Sequence, residues 1–187
     1  MLRTAKYIRD NILIADEVNT TLQYCKDATG VDLSAKNFYT LSNAGIVYKD
    51  KTKVYPYKVL DKIDVVDSSL PRDFRGWYLP QGSYICELNE GCKFGSNDVG
   101  YIVLRSSLNR NCVSLYSAIW DPNFTTQDGD KVNTMSVRVN VDTPKGVYIE
   151  ENARVGQLLV FDIEDGATQY IGQWQGGAVK SNLEDKA

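Results

Sequence analysis

From Gly30 onward the chain is written in short runs rich in Val, Ile, Tyr and Thr, each broken by Gly, Pro, Asn or Asp after about 8 to 12 residues. That rhythm leaves little room for long helices. The clearest runs are KVYPYKVL, GSYICEL, VGYIVLRS, MSVRVNV, GVYIE and QLLVFDI, and several of them alternate. In MSVRVNV the apolar Met135, Val137, Val139 and Val141 fall on one face, while Ser136, Arg138 and Asn140 fall on the other. A half-buried strand has that period. Many short strands separated by turn residues predict a mainly β fold, a sandwich or a distorted barrel.

Ahead of Gly30 the pattern changes. Residues 3 to 27 carry Ile12, Ile14, Val18 and Leu22 among good helix formers, which predicts a short N-terminal helix or helix pair. No repeat or low-complexity linker divides the 187 residues, so the expectation is one domain over 1–187 with a helical segment at 1–27. Residues 164–187 hold Gly166, Gly172, Gly176 and Gly177 and a polar, charged end. They are expected to form a flexible tail that orders on ligand binding.

Composition excludes several kinds of chemistry. Lys plus Arg number 21 against 24 Asp plus Glu, a net charge of −3, so the chain lacks the broad cationic surface that duplex nucleic acid requires. With no histidine, Ser-His-Asp catalysis, Cys-His catalysis and His-ligated metals are all ruled out. Cys25, Cys86, Cys92 and Cys112 form no CxxC pair, and no apolar stretch approaches the ~20 residues of a membrane span. A cytoplasmic protein with reduced, mostly buried thiols, not bound to membrane, is the expectation.

Four segments place polar residues where a β pattern calls for apolar ones. In GVDLSA, Asp32 is either a turn residue or one that orients metal-bound water. In IVLRSSLNR an apolar strand ends in Arg105, Ser106 and Ser107, with a second cation at Arg110. If Leu108 opens a helix, the serines either cap it or join the guanidinium in holding phosphate. In SAIWDPNF, Asp121 either starts a Pro-Asn turn or activates water as a general base. In RVGQLLVF, Gln157 interrupts an apolar run and must bond a neighbouring backbone or a ligand. Tyr170, Gln173, Trp174 and Gln175 in YIGQWQGG either stack over a base and close a pocket or form a solvated end.

In this order, GVDLSA, RSSLNR, AIWDPNF, RVGQLLVF and YIGQWQGG resemble the motifs of the trimeric dUTPase and dCTP deaminase superfamily over roughly residues 28 to 177. WYLPQGSYICELNE resembles the strand pair that precedes the second motif in the deaminases. The resemblance implies a dUTPase-like (β-clip) subunit, a distorted jelly roll or β-barrel with a short helical N-terminal segment, assembled as a homotrimer with sites at subunit boundaries. It implies that Arg105, Ser106, Ser107 and Gln157 bind the triphosphate and that Asp32 acts, through water, on Mg²⁺. Asp121 would position and deprotonate the attacking water. Ser117, Phe124, Tyr170, Gln173, Trp174 and Gln175 would surround the base and sugar, with the deoxyribose packed on Phe124.

Departures from the superfamily pattern divide its two reactions. Deaminases need a glutamate on the strand after the third motif, and aligning MSVRVN to that strand places Val137 there with Arg138 beside it. An apolar side chain moves no proton. In the hydrolase branch, Leu115 stands where many dUTPases carry a uracil-reading Asn, Thr125 and Thr126 replace a glycine, and QDGDKVN lengthens a hairpin. The expectation is a Mg²⁺-dependent dUTP diphosphatase. The competing readings are a dCTP deaminase using Glu87, Glu90, Glu150 or Glu151, and a non-catalytic nucleotide-binding relative.

Overall fold

The computed structural model describes residues 1–15, 29–41, 44–49, 52–53, 57–64, 70, 74–164, 168, 170 and 175–176. In chain order the strands are β1 (Leu13–Ala15), β2 (Val31–Leu41), β3 (Ile46–Val47), β4 (Thr52–Lys53), β5 (Tyr57–Val59), β6 (Ile63–Asp64), β7 (Arg75–Leu79) and β8 (Gly82–Leu88). They continue with β9 (Glu90–Cys92), β10 (Asp98–Leu104), β11 (Val113–Tyr116), β12 (Gln127–Asp128), β13 (Lys131–Val132), β14 (Ser136–Val141), β15 (Val147–Glu150) and β16 (Arg154–Asp162). Two helices are described, α1 (Ala5–Asn11) and α2 (Ser106–Asn109).

The main sheet runs β10-β16-β2-β8-β14-β11, with β5 added on β2. Its two ends, β10 and β11, come back beside each other, so the sheet nearly closes into a barrel. The alternation read in MSVRVNV is realised: Val137, Val139 and Val141 are buried between β8 and β11, and Arg138 is exposed. With Leu33, Phe38, Cys86, Leu88, Ile102, Val113, Val155 and Leu158 they fill the interior. Closure explains why the core draws on runs far apart in sequence, since each strand contributes only every second residue.

The N-terminal segment departs from expectation. Thr4 caps α1 by accepting from the Tyr7 amide at 3.3 Å, and the helix ends at Asn11. Ile12 is its C-cap, and Ile14 lies in β1, paired with Gly91 of β9. A nonlocal strand partner overrides the local helical pattern, because pairing with buried Glu90–Cys92 satisfies the backbone and covers apolar surface together. Val18, Leu22 and Cys25 lie outside the described residues. The helix is clasped to the barrel by Arg3, which donates to Asp98 at 3.1 Å and Asp162 at 2.6 Å, and by the Tyr7 hydroxyl, which donates to Asp98 at 2.9 Å.

Cys86 and Cys92 are buried thiols and Cys112 is an exposed one. Among the described residues, no helix is long and apolar enough to cross a membrane.

Candidate active site

Three adjacent strands build the first half of the site. Asp32 on β2 is the Cα partner of Gln157 on β16, which in turn faces Val103 on β10, so the three stand in a row across the sheet. Two residues further, where β10 ends, the chain turns at Arg105 into α2. Gly30, just before β2, leaves room for Gln157: a Cβ there would stand 2.7 Å from Gln157 Cγ and 2.8 Å from the Leu158 carbonyl.

Arg105 Nε lies 3.2 Å from Asp32 Oδ2, and Arg154 Nη1 donates to the same oxygen at 3.2 Å. Arg105 also donates from Nη1 to the Arg154 carbonyl at 3.4 Å. The sequence reading passed over Arg154. Its Cα partner is Ser34, not Asp32, and a register shift between Arg154 and Gly156 inserts Val155 as an extra residue. The extra residue sets Gln157, rather than Gly156, opposite Asp32. The only local signal was a cation opening a run that also contained the out-of-place Gln157.

Ser106 and Ser107 are exposed beside this pair. Of the two readings of these serines, capping is not realised: α2 begins at Ser106 rather than Leu108, Arg105 is the N-cap, and no side chain makes the capping bond. Leu108 instead packs against the core and anchors the turn. Capping therefore does not account for the two hydroxyls.

Asp121 belongs to the other half. Trp120 pairs through its backbone with Gly100, near the start of β10, and its carbonyl and amide both lie 2.9 Å from their Gly100 partners. Gly100 permits that approach, since a Cβ would meet Phe94 Cζ at 2.4 Å. Asp121 follows, exposed, with its carbonyl accepting from Phe124 at 3.1 Å across Pro122 and Asn123, whose φ is 60. Proline then a positive-φ asparagine is a type II turn pattern. Along β10, Gly100 and Arg105 are separated by roughly 16 Å at about 3.3 Å per residue. Within one chain, then, the acid and the arginine pair sit at opposite ends of one strand.

The turn also decides the fate of Phe124. Its ring, which the resemblance would pack against a deoxyribose, is buried between Trp120 at 5.1 Å and Tyr170 at 5.6 Å. Ser117 is engaged locally, accepting from the Trp120 indole at 3.1 Å and donating to the Ala118 carbonyl at 2.6 Å. The described tail residues dock on this same region of their own chain. Gln175 Nε2 donates to the Asn123 carbonyl at 3.2 Å, the Gly176 amide donates to Thr125 at 2.9 Å, and Asn133 Nδ2 donates to Gly176 at 2.7 Å. Gln175 Oε1 is buried without a hydrogen-bond partner among the described residues. Gln173 and Trp174 lie outside those residues.

Three of the four glutamates considered for a deaminase, Glu87, Glu90 and Glu151, are engaged in hydrogen bonds or ion pairs. Glu87 accepts from Tyr39 at 2.6 Å, Thr134 at 2.9 Å and Asn37 at 3.0 Å. Burial pushes its carboxyl up, but these hydrogen bonds and the Lys36 charge outweigh that and hold it below the ordinary range. Glu90 is buried against the amide and hydroxyl of Ser34, and Glu151 is paired with Lys62 and Arg75. Glu150 is exposed on β15. Val137 points into the core, and its outward neighbour Arg138 stacks on Tyr116 at 4.3 Å.

The structure is thus a nearly closed β-barrel with paired arginines where β10 ends and an exposed acid beside its opposite end. The chain belongs to the dCTP deaminase-like family, whose pattern it matches over residues 3–163. It is 27% identical over 177 residues to a probable deoxyuridine 5'-triphosphate nucleotidohydrolase of Archaeoglobus fulgidus, covering 94% of each chain. A protein of the same description from Methanosarcina mazei is 30% identical over 170 residues, covering 87% of this chain and 86% of its own. Among solved structures, the 2'-deoxycytidine 5'-triphosphate deaminase of Agrobacterium tumefaciens superposes with a TM-score of 0.58 at 16% identity, over 87% of this chain. This chain spans 46% of that structure's length.

Proposed function

We propose that this protein hydrolyses dUTP to dUMP and pyrophosphate. The observation that carries the reading is the Arg105–Asp32–Arg154 group beside Gln157, Ser106 and Ser107, a concentration of donors with net positive charge on an otherwise acidic chain. Triphosphate oxygens are what such donors recognise. Its named relatives in Archaeoglobus and Methanosarcina support the same substrate.

In this mechanism Asp121 takes a proton from a water whose oxygen attacks the α-phosphorus, while the bond from that phosphorus to the bridging oxygen breaks and pyrophosphate leaves. Asp121 and the arginine pair lie at opposite ends of β10, so a homotrimer would unite the acid of one copy with the cradle of another. Tyr170 and Gln175 would close over the base and sugar, and Gln175 Oε1 would offer an acceptor to a base N–H. Phe124 would support the sugar edge through its packing rather than as an open face.

Deamination is disfavoured by the same geometry. On β14 the outward position is Arg138, a permanent cation that cannot relay protons. As for a metal, no group of three or more acidic or thiol ligands stands together among the described residues. Asp32, expected to orient metal-bound water, already shares one oxygen between two guanidiniums, so the donor set does not fit a resident cation. Magnesium would then arrive as part of the nucleotide complex that is the substrate.

Purified protein offered each deoxynucleoside triphosphate with magnesium, with products resolved by chromatography, tests the reading. Formation of dUMP and pyrophosphate from dUTP is expected. Ammonia from dCTP, or tight binding without product over hours, would replace it with the deaminase or the binding-protein reading.

A further inference from the structure

Where β11 ends, the sheet turns an aromatic ring and a cation outward together. Tyr116 and Arg138 are Cα partners across β11 and β14, and the Arg138 guanidinium carbon stands 4.3 Å from the centre of the Tyr116 ring. Both residues are exposed, while Leu115 between them and Ser114 packs against the core. Among the described residues no carboxylate pairs with Arg138. On the neighbouring strand β8 its Cα partner is Ile85, and the nearby acid Glu87 is taken up by Tyr39, Thr134 and Asn37. A guanidinium held on a ring and left without a counter-charge keeps its N–H edge available to a ligand.

The pair sits on the strand that joins the two halves of the site. β11 packs against α2 at its start, and at its end Tyr116 runs directly into Ser117, whose Oγ accepts from the Trp120 indole at 3.1 Å just before Asp121. Resting on the dUTP reading above, we propose that Arg138 is a specificity-determining residue, donating to the carbonyl oxygen on C4 of uracil and so rejecting cytosine. Stacking on Tyr116 fixes the guanidinium plane and leaves its donors directed sideways, the geometry that meets the edge of a base. At C4 uracil carries an oxygen, which accepts, and cytosine carries an amino group, which donates. Arginine has donors only and stays protonated, so cytosine in the same pose sets donor against donor and loses its bond to water without a replacement. A site built to satisfy one hydrogen-bonding group rejects an analogue that lacks it far better than an apolar pocket rejects a change of size.

The test is the ratio of kcat/KM for dUTP to that for dCTP, read by pyrophosphate release, with calorimetry of the non-hydrolysable α,β-imido analogues of both nucleotides beside it. The wild type is expected to favour uracil by about tenfold or more in either measurement. Arg138→Gln should lower that ratio about tenfold, through loss on the uracil nucleotide, and Arg138→Glu, which offers acceptors alone, should shift it further toward cytosine. Tyr116→Phe should keep the ratio within about threefold, whereas Tyr116→Ala should lower it, because the ring holds the guanidinium and the hydroxyl does not. Urea midpoints of all four variants separate an effect on folding from one on base choice, and Tyr116→Ala probes the same contact if an Arg138 variant fails to fold. An unchanged ratio in Arg138→Gln, or equal losses on both nucleotides, would overturn the inference; equal losses are the behaviour of a group that binds phosphate or supports the fold. A wild type that does not separate the two bases would overturn it too. Should the wild type form no dUMP yet bind the uracil analogue with the expected preference, the functional reading fails and this inference stands; dUMP formation with a ratio indifferent to Arg138 is the reverse.

Discussion

Asp32 and Gln157 face each other as Cα partners across β2 and β16, 125 positions apart in the chain, and Gly30 is the residue that lets Gln157 lie flat beside them. A methyl group at position 30 would contact Gln157 Cγ, the Leu158 carbonyl and Leu159 together, and the carbonyl cannot yield without moving the strand. Gly30→Ala is therefore expected to lower stability by about 1–3 kcal/mol and to raise the KM for dUTP. Urea unfolding and steady-state kinetics check it. Gln157→Leu should raise KM by about tenfold with little change in the unfolding midpoint, since the amide sits at the outer face and a hydrogen bond to a charged group contributes about 1.5–3 kcal/mol.

Asp121 is exposed at the end of an apolar segment, and its backbone carbonyl accepts from the Phe124 amide across the turn. Replacing it with Asn keeps the turn and removes the base. A fall in kcat of about 10²–10⁴-fold is expected, with affinity for a non-hydrolysable dUTP analogue within about threefold of wild type. Pyrophosphate release and calorimetry measure the two quantities, and near-full turnover would remove Asp121 from the role.

Glu87 links stability to pH. Its folded carboxyl is held below the ordinary value because the hydrogen bonds from Asn37, Tyr39 and Thr134 and the Lys36 charge together exceed the upward effect of burial. A depressed carboxylate contributes stability that is present above the unfolded value near 4.5 and is lost as pH falls through the folded value. Glu87→Gln should thus destabilise the protein at pH 7 and flatten the loss of stability on acidification below pH 4.5. Denaturant unfolding of both proteins at a series of pH values checks the sign; a steeper acid loss in the variant would contradict it.

Burial pushes the thiols of Cys86 and Cys92 well above their ordinary value, whereas Cys112 is exposed at a φ of 54. Thiolate is the reactive form. Among these three, only Cys112 should react with a water-soluble disulfide reagent in the folded protein, and all three should react in urea. Peptide mapping after labelling distinguishes them. Cys112→Gly should relieve the left-handed backbone and change stability by no more than about 1 kcal/mol in either direction.

The barrel strands were legible in the chain because burial on one face leaves a period-two record, as in Val137, Val139 and Val141. Arg105, Ser106, Ser107, Asp121 and Gln157 stood out as candidates for a related reason: each ends or interrupts an apolar run, and a polar residue there needs a partner. Out of reach were features that depend on a distant partner or on one inserted residue. Ile14 pairs with Gly91 instead of extending a helix, Val155 makes the bulge that sets Gln157 opposite Asp32, and Phe124 is buried between Trp120 and Tyr170. Alternation is a local property, written wherever a strand lies half in the core. Register, bulges and ring packing are settled by contacts between segments that the chain brings together only on folding, so no window of sequence records them.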